Sequence, residues 1–227
     1  MRDNELDFFL SVGYYRMQQE LFTCHYIRHN DVPCPVHWLR IALANVSYGP
    51  KQSRLFRINE PFSVAVKPFV LSDELETLYA LYRSTLDFET YESVESCLLN
   101  GATRTAFDTH VIEIRDGDRL IAVGIFDRGE RSIAGILNFY HPEYRRHSLG
   151  KYLMLLKTEH ARRQRKEYYY PGYIVSGYPK FDYKLFACES ATEVYDDSRG
   201  EWLPFSWETV SALAYARLRA DQPAEGE

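Results

Sequence analysis

Long hydrophobic runs and closely spaced cysteines are both missing from this chain of 227 residues. Nowhere do about 18 consecutive apolar residues occur that could span a bilayer, and the N-terminus is charged rather than apolar. These absences predict a soluble, cytoplasmic protein that does not act at a membrane. The four cysteines, Cys24, Cys34, Cys97 and Cys188, are scattered, which argues against a secreted disulfide framework and favours reduced thiols.

The cysteines also lack the spacing of a known metal site. Cys24 and Cys34 have His25, His29 and His37 nearby, so a site with two thiolates and two imidazoles is arithmetically possible. Nine residues separate the two cysteines, however, and this is not a recognised ligand pattern. We therefore interpret both as buried structural thiols and predict neither a metal nor another cofactor.

Positive charge is scarce overall but concentrated in one segment. The net charge is −5, which argues against indiscriminate binding to nucleic acids. Residues 145–166 nevertheless hold eight Lys and Arg against a single acid, Glu159. Such a segment predicts a localised positive surface, and a solvated helix face is the alternative.

The periodicity of the apolar residues predicts an α+β protein. Helices are expected at 4–12, from 73 onward, and at 91–100, 149–166 and 207–219, with Ser148 as the N-cap of the fourth. Strands are expected at 21–27, 36–46, 62–70, 110–115, 119–127, 132–140 and 168–175, followed by a hairpin within 193–205. We expect a smaller β-rich N-terminal subdomain at 1–70, a second domain at 71–219 and a flexible tail at 220–227.

The most specific pattern is the segment 138–151, NFYHPEYRRHSLGK, followed by 169–184, YYPGYIVSGYPKFDYK. It resembles the C-terminal half of the arginyl- and leucyl-tRNA–protein transferases, and weaker similarity extends over residues 6–186. The resemblance implies a GNAT-like acyltransferase fold. It also implies direct transfer of an amino acid, arginine before leucine, from a charged tRNA to the N-terminal amine of an acceptor protein that begins with Asp or Glu.

The resemblance suggests roles for particular residues. Asp127 lies near the position of a GNAT general base, and Tyr170 and Tyr173 could orient an ester, so these three are the predicted catalytic residues. The predicted substrate-binding residues are Asn138, Tyr140, Ser148, Leu149, Gly150, Lys180, Tyr183, Lys184, Arg54 and Arg57. The predicted tRNA-binding residues are Arg145, Arg146, Lys151, Arg162, Arg163, Arg165 and Lys166.

Each assignment has a structural alternative. Asp127 could simply begin a turn, and alternate tyrosines of a strand are normally core residues. Lys180, Lys184, Arg54 and Arg57 are the candidates to pair with the acidic side chain of the acceptor, and solvated surface cations are the alternative.

Two other functions remain open. An acyl-CoA-dependent N-acyltransferase would share the fold, but its pyrophosphate-binding turn has a glycine where this chain has Ser148, which disfavours coenzyme A. From a different class, the chain could be an inactive adaptor that binds tRNA or protein N-termini.

Overall fold

The computed structural model describes residues 1–220, which form a large mixed sheet with helices on both faces. The helices are α1 (Asp3–Ser11), α2 (Pro50–Asn59), α3 (Asp73–Arg83), α4 (Val94–Leu98), α5 (Leu149–Arg163) and α6 (Trp207–Ala220). The strands are β1 (Tyr15–Met17), β2 (Glu20–Phe22), β3 (Tyr26–His29), β4 (Val32–Ala42), β5 (Ser63–Pro68), β6 (Thr109–Asp116), β7 (Arg119–Arg128), β8 (Ser132–Tyr140), β9 (Tyr168–Val175), β10 (Thr192–Asp196) and β11 (Glu201–Pro204). The predicted tail lies outside the described residues, apart from Ala220 at the end of α6.

The main sheet has the strand order β11-β10-β4-β9-β8-β7-β6-β5, and β3 pairs with β4. Strands β5 to β8 are antiparallel neighbours, whereas β8 and β9 are parallel and are connected by α5. The parallel pairing covers only Ser132–Ala134 against Tyr168–Tyr170, so the rest of the two strands is not paired to each other. The Tyr15 hydroxyl lies where the pairing stops and is within hydrogen-bonding distance of the Gly135 and Tyr170 carbonyls.

Both faces of the sheet are covered by apolar side chains. On one face, Leu149 and Leu153 of α5 pack with Phe126 and Tyr169 in the largest buried cluster. On the other face, helices α3 and α4 cover β6 to β8, and α1 covers the region around β9 and β4. The sheet is therefore buried on both sides, and α5 is the helix that connects its two halves.

Helix α5 begins at a strained residue. Ser148 adopts the left-handed conformation (φ 49°), which glycine takes more easily than serine. Ser148 occupies the N-cap position, as predicted, but its side chain makes no capping hydrogen bond. The observed φ agrees with the idea that this serine replaces a glycine of a tight turn.

The predicted α+β class is confirmed, with two differences in the N-terminal part. Helix α2 was not anticipated, because only two of its residues, Leu55 and Asn59, are buried and its apolar pattern is weak. Strand β4 pairs with β9 and β10, and β5 pairs with β6, so these N-terminal strands belong to the main sheet. The division of the chain at residue 70 stays a prediction.

None of the described helices is both long and apolar enough to cross a membrane. All four cysteines are free thiols, and Cys34, Cys97 and Cys188 are buried. Across residues 1–220, no three His, Cys, Asp or Glu side chains are grouped as they would be around a metal ion.

Candidate active site

A groove lies where β8 and β9 separate. Its inner part is a cavity of about 220 Å³ lined by Gly135, Ile136, Leu137, Asn138, Met154, Lys157, Tyr169, Pro171, Phe181, Tyr183 and Lys184. Its outer part, of about 260 Å³, is at the N-terminal end of α5 and is lined by Tyr82, Asn138, Tyr140, Arg145, Ser148, Gly150, Lys151 and Tyr183. Asn138 and Tyr183 border both parts, so the two cavities adjoin, and together we call them the groove.

A buried lysine lies at the floor of the inner cavity. Lys157 of α5 is only 1% exposed, and its ammonium has three acceptors within hydrogen-bonding distance. These are the Ile125 carbonyl at 2.6 Å, the Asn138 Oδ1 at 2.8 Å and the Leu137 carbonyl at 3.4 Å. Burial lowers the pKa of Lys157 to about 7, and the nearby carboxylate of Asp127 opposes this shift.

A second lysine enters the inner cavity from the 3-10 turn at Pro179–Phe186. Lys184 donates one hydrogen bond to the Tyr173 carbonyl at 2.7 Å, and its ammonium lies 4.4 Å from the ring centre of Phe181. Burial lowers the pKa of Lys184 to about 7, and Asp182 opposes this shift. No other described residue accepts a hydrogen bond from this ammonium, so two N–H donors remain for a bound anion.

The outer cavity is suited to a larger anion. It lies at the start of α5, where backbone N–H groups are not used by the helix and where the helix dipole is positive. No acidic residue is present in the first turn of α5, and Arg145 and Lys151 line the cavity. A phosphate group fits this combination of charges and donors.

Residues 72–187 match the family described as the C terminus of arginine-tRNA-protein transferase. The chain belongs to this family.

Two relatives are named aspartate/glutamate leucyltransferase. The protein from Hahella chejuensis is 29% identical over 152 residues, 64% of this chain and 63% of the relative. The protein from Alcanivorax borkumensis is 30% identical over 136 residues, 59% of this chain and 56% of the relative. The matches thus span less than two thirds of either relative.

The fold also resembles a solved domain outside the transferase family. It is the C-terminal domain of an Agrobacterium fabrum protein named as a lysylphosphatidylglycerol synthetase. The TM-score is 0.51 at 13% identity, and the match covers 82% of this chain and 65% of that domain's chain. Together with the antiparallel strands β5 to β8, the α5 connection and the parallel β8–β9 pair, this likeness confirms the GNAT-like α+β fold.

Eight of the predicted site residues of this transferase-family chain line the groove. They are Asn138, Tyr140, Arg145, Ser148, Gly150, Lys151, Tyr183 and Lys184. All come from the two segments on which the resemblance to the family depends. Their roles in binding stay predictions, but the fold brings them to one place.

The predicted catalytic residue Asp127 lies outside the groove, and its catalytic role stays a prediction. Its side chain is completely buried and forms an ion pair with Arg16 at 2.8 Å. It also accepts a hydrogen bond from the Thr109 hydroxyl at 2.6 Å. Burial raises the pKa of Asp127, against the opposing effect of Arg16. A carboxylate enclosed in this way cannot reach the amine of a substrate, so we interpret Asp127 as structural.

The two predicted catalytic tyrosines are also placed differently. Tyr170 points to the face of the sheet covered by α1, where its ring packs edge-on against Trp202. Tyr173 packs against Trp38, and it meets Lys184 both through its carbonyl, which accepts a hydrogen bond, and through its ring, whose centre lies 4.9 Å from the Lys184 ammonium. Tyr170 alternates with Tyr169, which takes the groove-facing position. The β4–β9 pairing shifts register between Leu39 and Ile41, and Gly172 has a positive φ of 101°, so Tyr173 does not follow the same alternation.

Other predicted residues lie away from the groove. The Leu149 side chain is fully buried in the core beneath α5 and does not line the groove, so its contact with substrate stays a prediction. Arg54 and Arg57 are exposed on α2, and Lys180 lies over the ring of Phe88 instead of entering the inner cavity. The remaining predicted tRNA contacts are Arg146, beside His147 near the start of α5, and Arg162, Arg163, Arg165 and Lys166 at its other end.

Sequence reasoning missed Lys157 as a site residue. It was counted only as part of the basic segment, although it lies four residues from both Leu153 and Ala161, which are buried on α5. A lysine at helical spacing within an apolar stripe is a signal that could have identified it. Tyr82 gave no comparable signal, whereas Tyr169 opens the motif segment 169–184.

Proposed function

We propose that this protein transfers an amino acid from a charged tRNA to the N-terminal amine of proteins that begin with Asp or Glu. The observation that carries the proposal is the Lys184 ammonium, which borders the inner cavity with two N–H donors free. An acidic side chain is the partner that such a partly desolvated cation needs. The family membership supports the transfer reaction itself. Its cellular role would be the marking of cytoplasmic proteins for degradation in an N-degron pathway.

The reaction needs little chemistry from side chains. The neutral amine of the acceptor attacks the ester carbonyl, forming a C–N bond and a tetrahedral oxyanion. The intermediate collapses with cleavage of the bond to the ribose oxygen, which takes the proton lost by the amine. Because the ester is already activated, the protein mainly has to align the two substrates and stabilise the oxyanion. In this arrangement the terminal phosphates of the tRNA occupy the outer cavity.

The transferred amino acid is proposed to be leucine, although the sequence resemblance placed arginine first. None of the described residues that line the groove is acidic, and the inner cavity contains two lysines. A guanidinium would be repelled there, whereas Ile136, Leu137 and Met154 offer apolar contacts to a leucine side chain. The names of the two relatives agree with this choice.

The decisive measurement uses tRNAs charged with radiolabelled leucine or arginine and peptides that begin with Asp, Asn or Ala. We expect label to pass from leucyl-tRNA to the Asp peptide, with much less transfer to the Asn and Ala peptides. Preferred use of arginyl-tRNA would overturn the choice of leucine. Binding of tRNA without transfer from either tRNA would show an adaptor instead of an enzyme.

The acceptor-binding role of Lys184 is tested with Lys184→Gln, and Lys180→Gln is the matched control. We expect Lys184→Gln to raise the KM for the Asp peptide at least about tenfold, since a charge-assisted pair is lost from a desolvated site. Lys180→Gln should leave this KM within about twofold, because Lys180 lies outside the inner cavity. Equal KM values for the two variants would place acceptor recognition elsewhere.

A further inference from the structure

The hydrogen bond between Lys157 and Asn138 fixes which way the asparagine amide faces. While Lys157 is protonated its ammonium is a donor only, so the Asn138 atom at 2.8 Å from it is the oxygen. The Asn138 Nδ2 therefore points away from Lys157. Asn138 borders both parts of the groove, and no residue among 1–220 accepts a hydrogen bond from its Nδ2. A buried cation thus directs an unused N–H donor toward the groove.

The surrounding strands leave room for this contact. Gly124 of β7 is the direct partner of Asn138 in the sheet. A Cβ at position 124 would lie 3.1 Å from both the Asn138 Oδ1 and the Lys157 Cε, closer than nearly all ordinary contacts. The same Cβ would lie 3.0 Å from the Leu153 Cδ2, so a larger residue would require small shifts of these neighbouring side chains.

Stability alone does not account for a lysine at this place. Desolvation of an ammonium costs several kcal/mol, and an apolar residue of similar size generally serves a core at least as well. All three ammonium hydrogens are directed to protein acceptors, so Lys157 has no free donor for a substrate. Its influence on a bound ligand must pass through Asn138 and through its positive charge.

We propose that Lys157 is a positioning residue that holds the Asn138 amide so that its Nδ2 stabilises the oxyanion of the tetrahedral intermediate. This inference rests on the proposed transfer reaction. In the ground state the carbonyl carries little charge, whereas the oxyanion gains both the N–H donor of Asn138 and the nearby positive charge of Lys157. Lys184 and Lys157 therefore have separate tasks, one in binding the acceptor and one in the chemical step.

The test compares three variants in steady-state transfer assays with charged tRNA and the Asp peptide. Lys157→Met removes both the charge and the hydrogen bond, Lys157→Gln keeps a possible donor to Asn138, and Asn138→Asp keeps the acceptor for Lys157 but removes the Nδ2 donor. We expect Asn138→Asp to lower kcat about a hundredfold, the usual cost of one oxyanion donor. Lys157→Met should lower kcat at least about tenfold. The kcat of Lys157→Gln should lie between that of Lys157→Met and that of the unmodified protein.

Two readouts separate positioning from a structural role. The KM values for tRNA and peptide should stay within about threefold for both Lys157 variants, because only the transition state is affected. The melting temperature of Lys157→Met should be equal to or above that of the unmodified protein. A folded Lys157→Met with an unchanged kcat would overturn the inference while leaving the transfer function intact. If Lys157→Met does not fold, Lys157→Gln decides by the same criterion. Absence of any transfer by the unmodified protein would overturn both this inference and the proposed transfer function.

Discussion

At the scale of single residues, the buried ion pair between Arg16 and Asp127 makes the clearest stability prediction. Asp127→Asn leaves the Arg16 guanidinium, which is 1% exposed, without its counter-charge. We expect the free energy of unfolding to fall by about 3 to 5 kcal/mol, measured by urea denaturation. The control Asp108→Asn, which breaks a partly exposed pair with Arg128, should cost less than about 1 kcal/mol.

The same variant tests the predicted catalytic role of Asp127. If this carboxylate is only structural, the kcat of folded Asp127→Asn should remain close to that of the unmodified protein at a temperature where the variant is stable. A loss of several orders of magnitude in a folded variant would restore the general-base assignment. Sequence position alone could not decide this, because the end of β7 is both a turn and the expected place of a base.

At the scale of elements, α5 separates two basic clusters. One lies beside the groove at its start (Arg145, Arg146 and Lys151), and the other lies at its end (Arg162, Arg163 and Arg165). A helix of 15 residues places them about 22 Å apart. Arg162 is already paired with Glu159 at 2.8 Å. If the protein binds tRNA as proposed, the first cluster is the expected contact for the tRNA phosphates.

Salt-dependent tRNA binding distinguishes the two clusters. Alanine at Arg145, Arg146 and Lys151 should lower the slope of log affinity against log salt by about one unit per lost phosphate contact. Alanine at Arg162, Arg163 and Arg165 should change the slope less. A larger change from the second triple variant would mean that the tRNA follows the whole length of α5.

The elements themselves could be predicted from sequence much better than their arrangement. Asn30 and Asp31 lie between the strands predicted at 21–27 and 36–46; both residue types favour turns, and both have positive φ values, of 49° and 62°. The point at which β8 separates from β9 has no local sequence signal, and the Tyr15 hydroxyl that bonds to both strands there is more than 100 residues away in the chain. The groove residues of the two motif segments were therefore identified, whereas Lys157 and the burial of Asp127 depended on tertiary contacts.

At the scale of the whole molecule, the buried lysines predict how stability varies with pH. The pKa of Lys157 falls from 10.5 to about 7 on folding, and that of Lys184 shifts in the same way. Between these values the unfolded chain binds more protons than the folded one, so the free energy of unfolding should rise with pH. Below pH 7 both states are protonated, and this contribution to the slope disappears.

Urea denaturation at pH 7, 8 and 9 measures this slope for the unmodified protein and for Lys157→Met. We expect the unmodified protein to become more stable by about 1 kcal/mol per pH unit from Lys157 alone. In Lys157→Met this contribution is absent, so its free energy of unfolding should rise less steeply with pH. The stability difference between Lys157→Met and the unmodified protein should therefore be largest at pH 7. Identical slopes would mean that Lys157 does not lose its proton in this range, because its three acceptors hold the ammonium against the cost of burial.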